Sequence, residues 1–143
     1  IKVDSITSVT IALTQRAYST KVDLASEIQS QINGDTALAA SSVKVVVSYD
    51  NVSNKFLITS NRYGSASKVE MLTVESAGSG AGQSGEIGLV TGGSATTGVD
   101  VTGTINGEEA LGTGQYLTSS TGDSNGLKLL INGGGLAHEE PLP

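Results

Sequence analysis

Between residues 98 and 135 glycine turn signals recur every few positions, at Asn106-Gly107, Gly112-Thr113-Gly114, Asn125-Gly126 and Asn132-Gly133. Asn-Gly is the dipeptide best suited to a two-residue hairpin loop, because such loops require positive φ, which Gly and then Asn adopt at least cost. Between the signals lie short strand-like pieces, "VDVTGTI", "EEAL", "QYLTS" and "LKLLI". The spacing leaves no room for a helix, so 98–135 is expected to form a small all-β module of hairpins.

The same glycines could in principle cradle a phosphate. Such a loop needs a Lys-Ser/Thr pair directly after its last glycine, and a helix whose N-terminus faces the anion. Here Gly107-x-x-x-x-Gly112 runs into Thr113-Gly114-Gln115, with no lysine and a β-like "QYLTSS" where the helix would have to be. The glycines are turn residues.

The first half has a different period. "STKVDLASEIQSQINGD" spaces Val22, Ala25, Ile28 and Ile32, with Leu24 beside them, as one apolar stripe. Thr20 is the expected N-cap with Asp23 three residues on, and Gly34 the C-terminal stop, which gives one main helix over residues 20–33. Ahead of it, "KVDSITSVTIAL" alternates in its second half and predicts a strand. After it, "SVKVVVSYD" and "KFLITSN" flank "DNVSN" as a β-hairpin, and "SKVEMLTVE" is expected to extend that sheet. The fold class expected is α+β, predominantly antiparallel β, with the helix on one sheet face. Residues 1–76 form the helix-plus-hairpin module, 77–97 a Gly/Ser-rich linker containing "SAGSGAGQSGE" and one helical turn at "IGLVTGG", 98–135 the hairpin module, and 136–143 a frayed tail. With Ile1 first and "AHEEPLP" last, the chain reads as a fragment or a processed form.

Composition narrows the function. Eight basic residues against 14 acidic ones give a net charge of −6, and the basic residues are scattered, so no nucleic-acid partner is expected. No apolar run approaches the roughly 20 residues of a membrane span, and no signal peptide is visible. There is no cysteine, which removes disulfides, thiolate metal sites and a Cys nucleophile.

Individual candidates favour structural readings. Asp123–Gly126 and Asp50–Asn54 offer oxygen ligands without the ordered carboxylates of a calcium loop, and Asx-turns account for both. His138 with Glu139 and Glu140 falls short of a metal ligand set. Asp23 and Glu27 face solvent opposite the stripe, and Asn51-Val52-Ser53 is a sequon on a loop tip. With one His and serines lying in turns, no catalytic, cofactor-binding or metal residue is assigned, no cofactor is expected, and the chain does not read as an enzyme.

One stretch does resemble a known family. Gly88-Leu89, Gly98, Asp100-Val101, Gly103-Thr104-Ile105-Asn106-Gly107, Ala110, Gly112, Gly114-Gln115, Leu117-Thr118 and Gly126-Leu127 follow the outer-domain pattern of the bacterial flagellar filament cap protein, hook-associated protein two. "KVDLASEIQSQIN" and "VVVSYDNVSNKFLITSNRYGSASKV" resemble the helix and hairpin of insert modules that flagellins and hook-filament junction proteins share with the cap. The resemblance implies a secreted structural protein of the flagellum, exported without a cleaved signal peptide. Its full-length form would self-associate into a ring-like cap at the filament tip and promote flagellin assembly there. The heptad-rich leg helices of that family are missing from this sequence, which leaves the outer plate domains. The family's link to host mucus adds cell adhesion. Two other classes stay open: an adhesive or carbohydrate-binding surface module, for which Tyr49 and Tyr116 would be the stacking platforms, and an insert domain of flagellin or of a hook-filament junction protein.

Overall fold

The computed structural model describes residues 1–74, 89 and 95–132. The fold is α+β, and every paired strand among these residues is antiparallel. Two compact units emerge, one from Ile1–Arg62 with the described part of Ala66–Gly98, the other from Tyr63–Ser65 with the described part of Val99–Pro143. The expected linker at 77–97 and its helical turn lie outside the described residues except for Leu89 and 95–97, and the tail at 136–143 lies wholly outside them.

In the first unit, helix α1 spans Lys21–Asn33. Thr20 and Asp23 close a reciprocal capping box: the Asp23 amide donates to Thr20 Oγ1 at 3.0 Å, and the Thr20 amide donates to Asp23 Oδ2 at 3.1 Å. Leu24, Ala25, Ile28 and Ile32 are buried, whereas Val22, expected in the stripe, is 66% exposed. Leu24 takes its place because it shares the face of Ile28, one turn on. A short helix α2, Thr36–Ala40, follows where a connector was expected. Its N-cap is Asp35, whose Oδ1 accepts from the amides of Ala37 and Leu38, so that Leu38 is fully buried.

The hairpin is β3, Val45–Asp50, with β4, Lys55–Ser60, in the register Val47↔Ile58 and Tyr49↔Phe56. Strict alternation sends Val45 and Val47 into the core with Val43, against α1. The Lys44–Asn61 backbone bond sets the ladder so that Val45 and Val47 turn their own backbone groups away from β4. Helix α1 receives them. Asn33 donates Nδ2 to the Val45 carbonyl at 2.9 Å and accepts the Val45 amide at 2.8 Å, and one turn earlier Gln29 accepts the Val47 amide at 2.8 Å.

The N-terminal segment corrects the expected strand over 2–13. It folds into two short strands, β1, Lys2–Val3, and β2, Ile6–Thr7, because Asp4 and Ser5 take positive φ of 49° and 74° and reverse the chain. The third run does not extend the β3–β4 hairpin by pairing with it either. Its strand β5, Val69–Glu70, pairs with β1, giving a separate sheet of order β2-β1-β5. Asp4 fixes that choice: its amide donates to the Lys68 carbonyl at 2.8 Å, and its Oδ1 accepts the Lys68 amide at 3.0 Å.

The second unit is a four-stranded meander in the order β6-β7-β8-β9, built from Gly103–Ile105, Glu108–Thr113, Tyr116–Thr118 and Lys128–Leu130. Asn106-Gly107 makes the first reversal with φ of 55° and 79°, the type I′ geometry expected of it. The second reversal is Gly114-Gln115, so Gly112 and Thr113 lie inside β7 rather than in a turn. The third connection runs through a short 3-10 turn at Gly122–Ser124 and a reversal at Asn125-Gly126, closed by the Leu127 amide donating to the Ser124 carbonyl at 3.0 Å. Ile105 and Leu117 are buried on one face. Residues 99–102, expected in the first strand, stay outside it, and the reason lies at Asp100.

Candidate functional site

Asp100 is the junction of the second unit. Its Oδ1 accepts from the Gly114 amide at 2.7 Å and from the Ser65 amide at 3.0 Å, and its Oδ2 accepts from the Ser65 hydroxyl at 2.6 Å. One carboxylate thus joins three separated stretches of chain. The Ser65 hydroxyl first, then the Gly114 and Ser65 amides, hold the Asp100 carboxyl below its ordinary value, since each donor favours the charged form. Next to it the Val101 amide donates to the Gly114 carbonyl at 3.0 Å, and the Val101 carbonyl lies where a side chain at Gly112 would have to be. Gly112 is required for this close backbone approach rather than for a turn.

In the first unit Asp4 is the counterpart. Its carboxylate is buried, with Oδ2 accepting from the Ser60 hydroxyl and lying 3.8 Å from Arg62 Nε. Ser60 in turn accepts the Arg62 amide at 3.0 Å. This serine and carboxylate have no third group to take a proton onward, so the pair ties β4 to the β1–β2 turn. Neither Asp4 nor Asp100 was singled out in the sequence, because each one's partners lie far along the chain.

The sequence candidates are placed separately. Asp50 caps its own turn, accepting from the Val52 amide at 2.9 Å, the Ser53 amide at 3.2 Å and the Ser53 hydroxyl, and the hydroxyl above all lowers its pKa. That hydroxyl belongs to the Asn51-Val52-Ser53 sequon, and Val52 at the tip is 93% exposed. Asp123 and Ser124 lie in the 3-10 turn. Asp23 serves the capping box; Glu27 accepts from the Thr14 amide at 3.0 Å and from Gln31 at 2.9 Å, and Thr14 chiefly lowers its pKa. His138, Glu139 and Glu140 lie outside the described residues. Among the described residues no group of three or more His, Cys, Asp or Glu is placed to hold a metal, and no helix is long and apolar enough to cross a membrane.

Tyr49 and Tyr116 belong to different units. Tyr49 packs on Phe56 with ring centroids 5.0 Å apart, and Lys128 Nζ sits 4.2 Å over the Tyr116 ring. Each ring thus already has a neighbour on or near one face. The two most prominent hollows, both in the first unit, are open grooves, one of about 350 Å³ between Phe56–Ser60 and Ser67–Val69, the other of about 370 Å³ along Tyr18–Lys21. Neither gathers titratable groups: each has one lysine, Lys68 or Lys21, and no carboxylate.

What the arrangement provides is a pair of turn-rich scaffolds whose charged side chains mostly serve the backbone. The chain matches no protein-family model, no curated protein and no solved structure.

Proposed function

We propose that this chain is the outer, plate-forming region of a bacterial flagellar filament cap, a structural part rather than an enzyme. The observation that supports the reading is where the family-like residues fall. Asp100, Asn106-Gly107, Gly112 and Gly114 are the positions on which the second unit's backbone depends. A pattern kept for chemistry would place side chains in a cleft, whereas this one places them in turns and tethers. On this reading the units work by rigid geometry, outside the cell and at the filament tip, with flagellin as the partner of the assembled cap and host mucus as a surface ligand.

Residues of α1 support the related reading of a flagellin or junction-protein insert, since Asn33, at the end of the Leu-Ala-x-x-Ile-x-x-x-Ile-Asn pattern, docks the helix on β3. Immunogold electron microscopy with antibody raised against this chain separates the two. Label confined to filament ends, and a ring or plate formed by the purified full-length protein, is the expected result. Label along the filament shaft or at the hook junction would support the insert reading, and no label on flagella would overturn both.

A further inference from the structure

The two units treat their sheet edges differently. On β3 the outward backbone groups of Val45 and the outward amide of Val47 are taken up by Asn33 and Gln29. Strand β9 is the last in its sheet, and no described residue takes up its outer edge in this way. The Ser119 amide donates to the Leu127 carbonyl at 2.9 Å and the Ile131 amide donates to the Gln115 carbonyl at 2.8 Å, in the register Leu117↔Leu129. Antiparallel hydrogen bonding alternates, so Leu129 also bonds inward to β8, while Lys128 and Leu130 turn their N–H and C=O groups outward. Around them the strand is apolar on both faces: Leu127 is 47% exposed, Leu129 39%, Leu130 49% and Ile131 38%. An open edge with apolar side chains on both faces is a template for another strand.

We propose that β9 is a self-recognition edge that pairs antiparallel with β9 of a second copy of this chain, about a two-fold axis at Leu129. This register joins Lys128 to Leu130 of the other copy twice over, which uses all four outward groups of each strand. On one face Leu127, Leu129 and Ile131 meet Ile131, Leu129 and Leu127; on the other the stem of Lys128 covers Leu130. A shift that set Lys128 opposite Lys128 would place like charges together and is disfavoured. Few side chains are covered, so the buried area falls below the roughly 1,200 Å² of stable complexes. The pairing is therefore weak in isolation and gains strength only where many copies are held side by side. The proposal rests on edge geometry and stands apart from the flagellar reading.

The absence of cysteine makes the test direct. In the proposed register the two Leu129 residues face each other as a non-hydrogen-bonded pair with Cα atoms about 4.5 Å apart, inside the roughly 4.4–6.8 Å that a disulfide spans. The Leu129→Cys variant of the full chain, oxidised at high concentration, is expected to yield a disulfide dimer. Leu130→Cys, equally exposed but facing Lys128 of the other copy, is expected to yield several-fold less. Sedimentation equilibrium of the unaltered chain should show dimer increasing with concentration. Equal cross-linking of the two variants, no cross-linking of Leu129→Cys, or a pure monomer up to about 1 mM, where a contact worth about 4 kcal/mol would be half formed, would each overturn the proposal. None of these outcomes alters where antibody labels a filament.

Discussion

The amide of Gly114 donates to Oδ1 of Asp100 at 2.7 Å, across the reversal between β7 and β8. The same carboxylate receives Ser65, which brings a stretch from the middle of the sequence into the second unit. Asp100→Ala should therefore loosen the unit at two places at once, while Asp100→Asn, which keeps an acceptor oxygen, should loosen it less. Amide hydrogen exchange reads this directly: protection at Leu117 and Leu129 should fall in the order wild type, Asn, Ala, with α1 unaffected. Equal protection in all three would remove Asp100 from the framework.

Acid should act through the same group. Asp100, Asp50, Glu27 and Glu70 are all held below their ordinary values, Asp100 chiefly by the Ser65 hydroxyl, Asp50 by that of Ser53, Glu27 by Thr14 and Glu70 by Lys68. A carboxyl that binds its proton less readily when folded contributes stability fully above its unfolded value, and loses it as pH falls through the folded one. Urea midpoints should thus be flat near neutrality and fall below about pH 4. Asp100→Asn should flatten the acid limb for the second unit, as followed by exchange at Leu117.

Two glycines separate steric need from backbone freedom. Gly112→Ala drives a methyl into the Val101 carbonyl and should cost about 3 kcal/mol. Gly107→Ala meets nothing within 4 Å but keeps φ near 79°, and should cost about 1 kcal/mol. Thermal unfolding of both variants should preserve that order.

The docking of α1 on β3 is open to test at its end. Asn33→Ala strands the amide and carbonyl of Val45, at about 1–3 kcal/mol. Leu38→Ala removes a fully buried side chain from the same core, at about 2–5 kcal/mol. Chemical denaturation of the two variants checks both, and exposing the β3 edge should make Asn33→Ala the more prone to aggregate.

Sequence alone placed what local rules decide. Thr20, Asp23 and Gly34 bound a helix by capping that needs only near neighbours, and α1 runs between them as Lys21–Asn33. Val45 to Asp50 and Lys55 to Ser60 pair across a turn whose residues are contiguous, and Asn106-Gly107 carries its own positive φ. The acid-poor, cysteine-free hairpin segment also withheld a phosphate loop's lysine and helix, which was legible without coordinates.

Tertiary structure decided the rest, and each case turns on a long-range polar contact. Asp4 and Ser5 fold back because the Asp4 carboxylate has Ser60 and Lys68 to bind, so a stretch that alternates like one strand becomes two. Residues 99–102 leave the sheet because Asp100 is held by Ser65 and Gly114. Val22 lies outside the core although its spacing fits, because Leu24 occupies the buried face. Periodicity and capping depend on neighbours a few residues away and can be read along the chain. A carboxylate's choice among donors up to 64 residues distant depends on how the strands have already packed, and only the folded chain settles it.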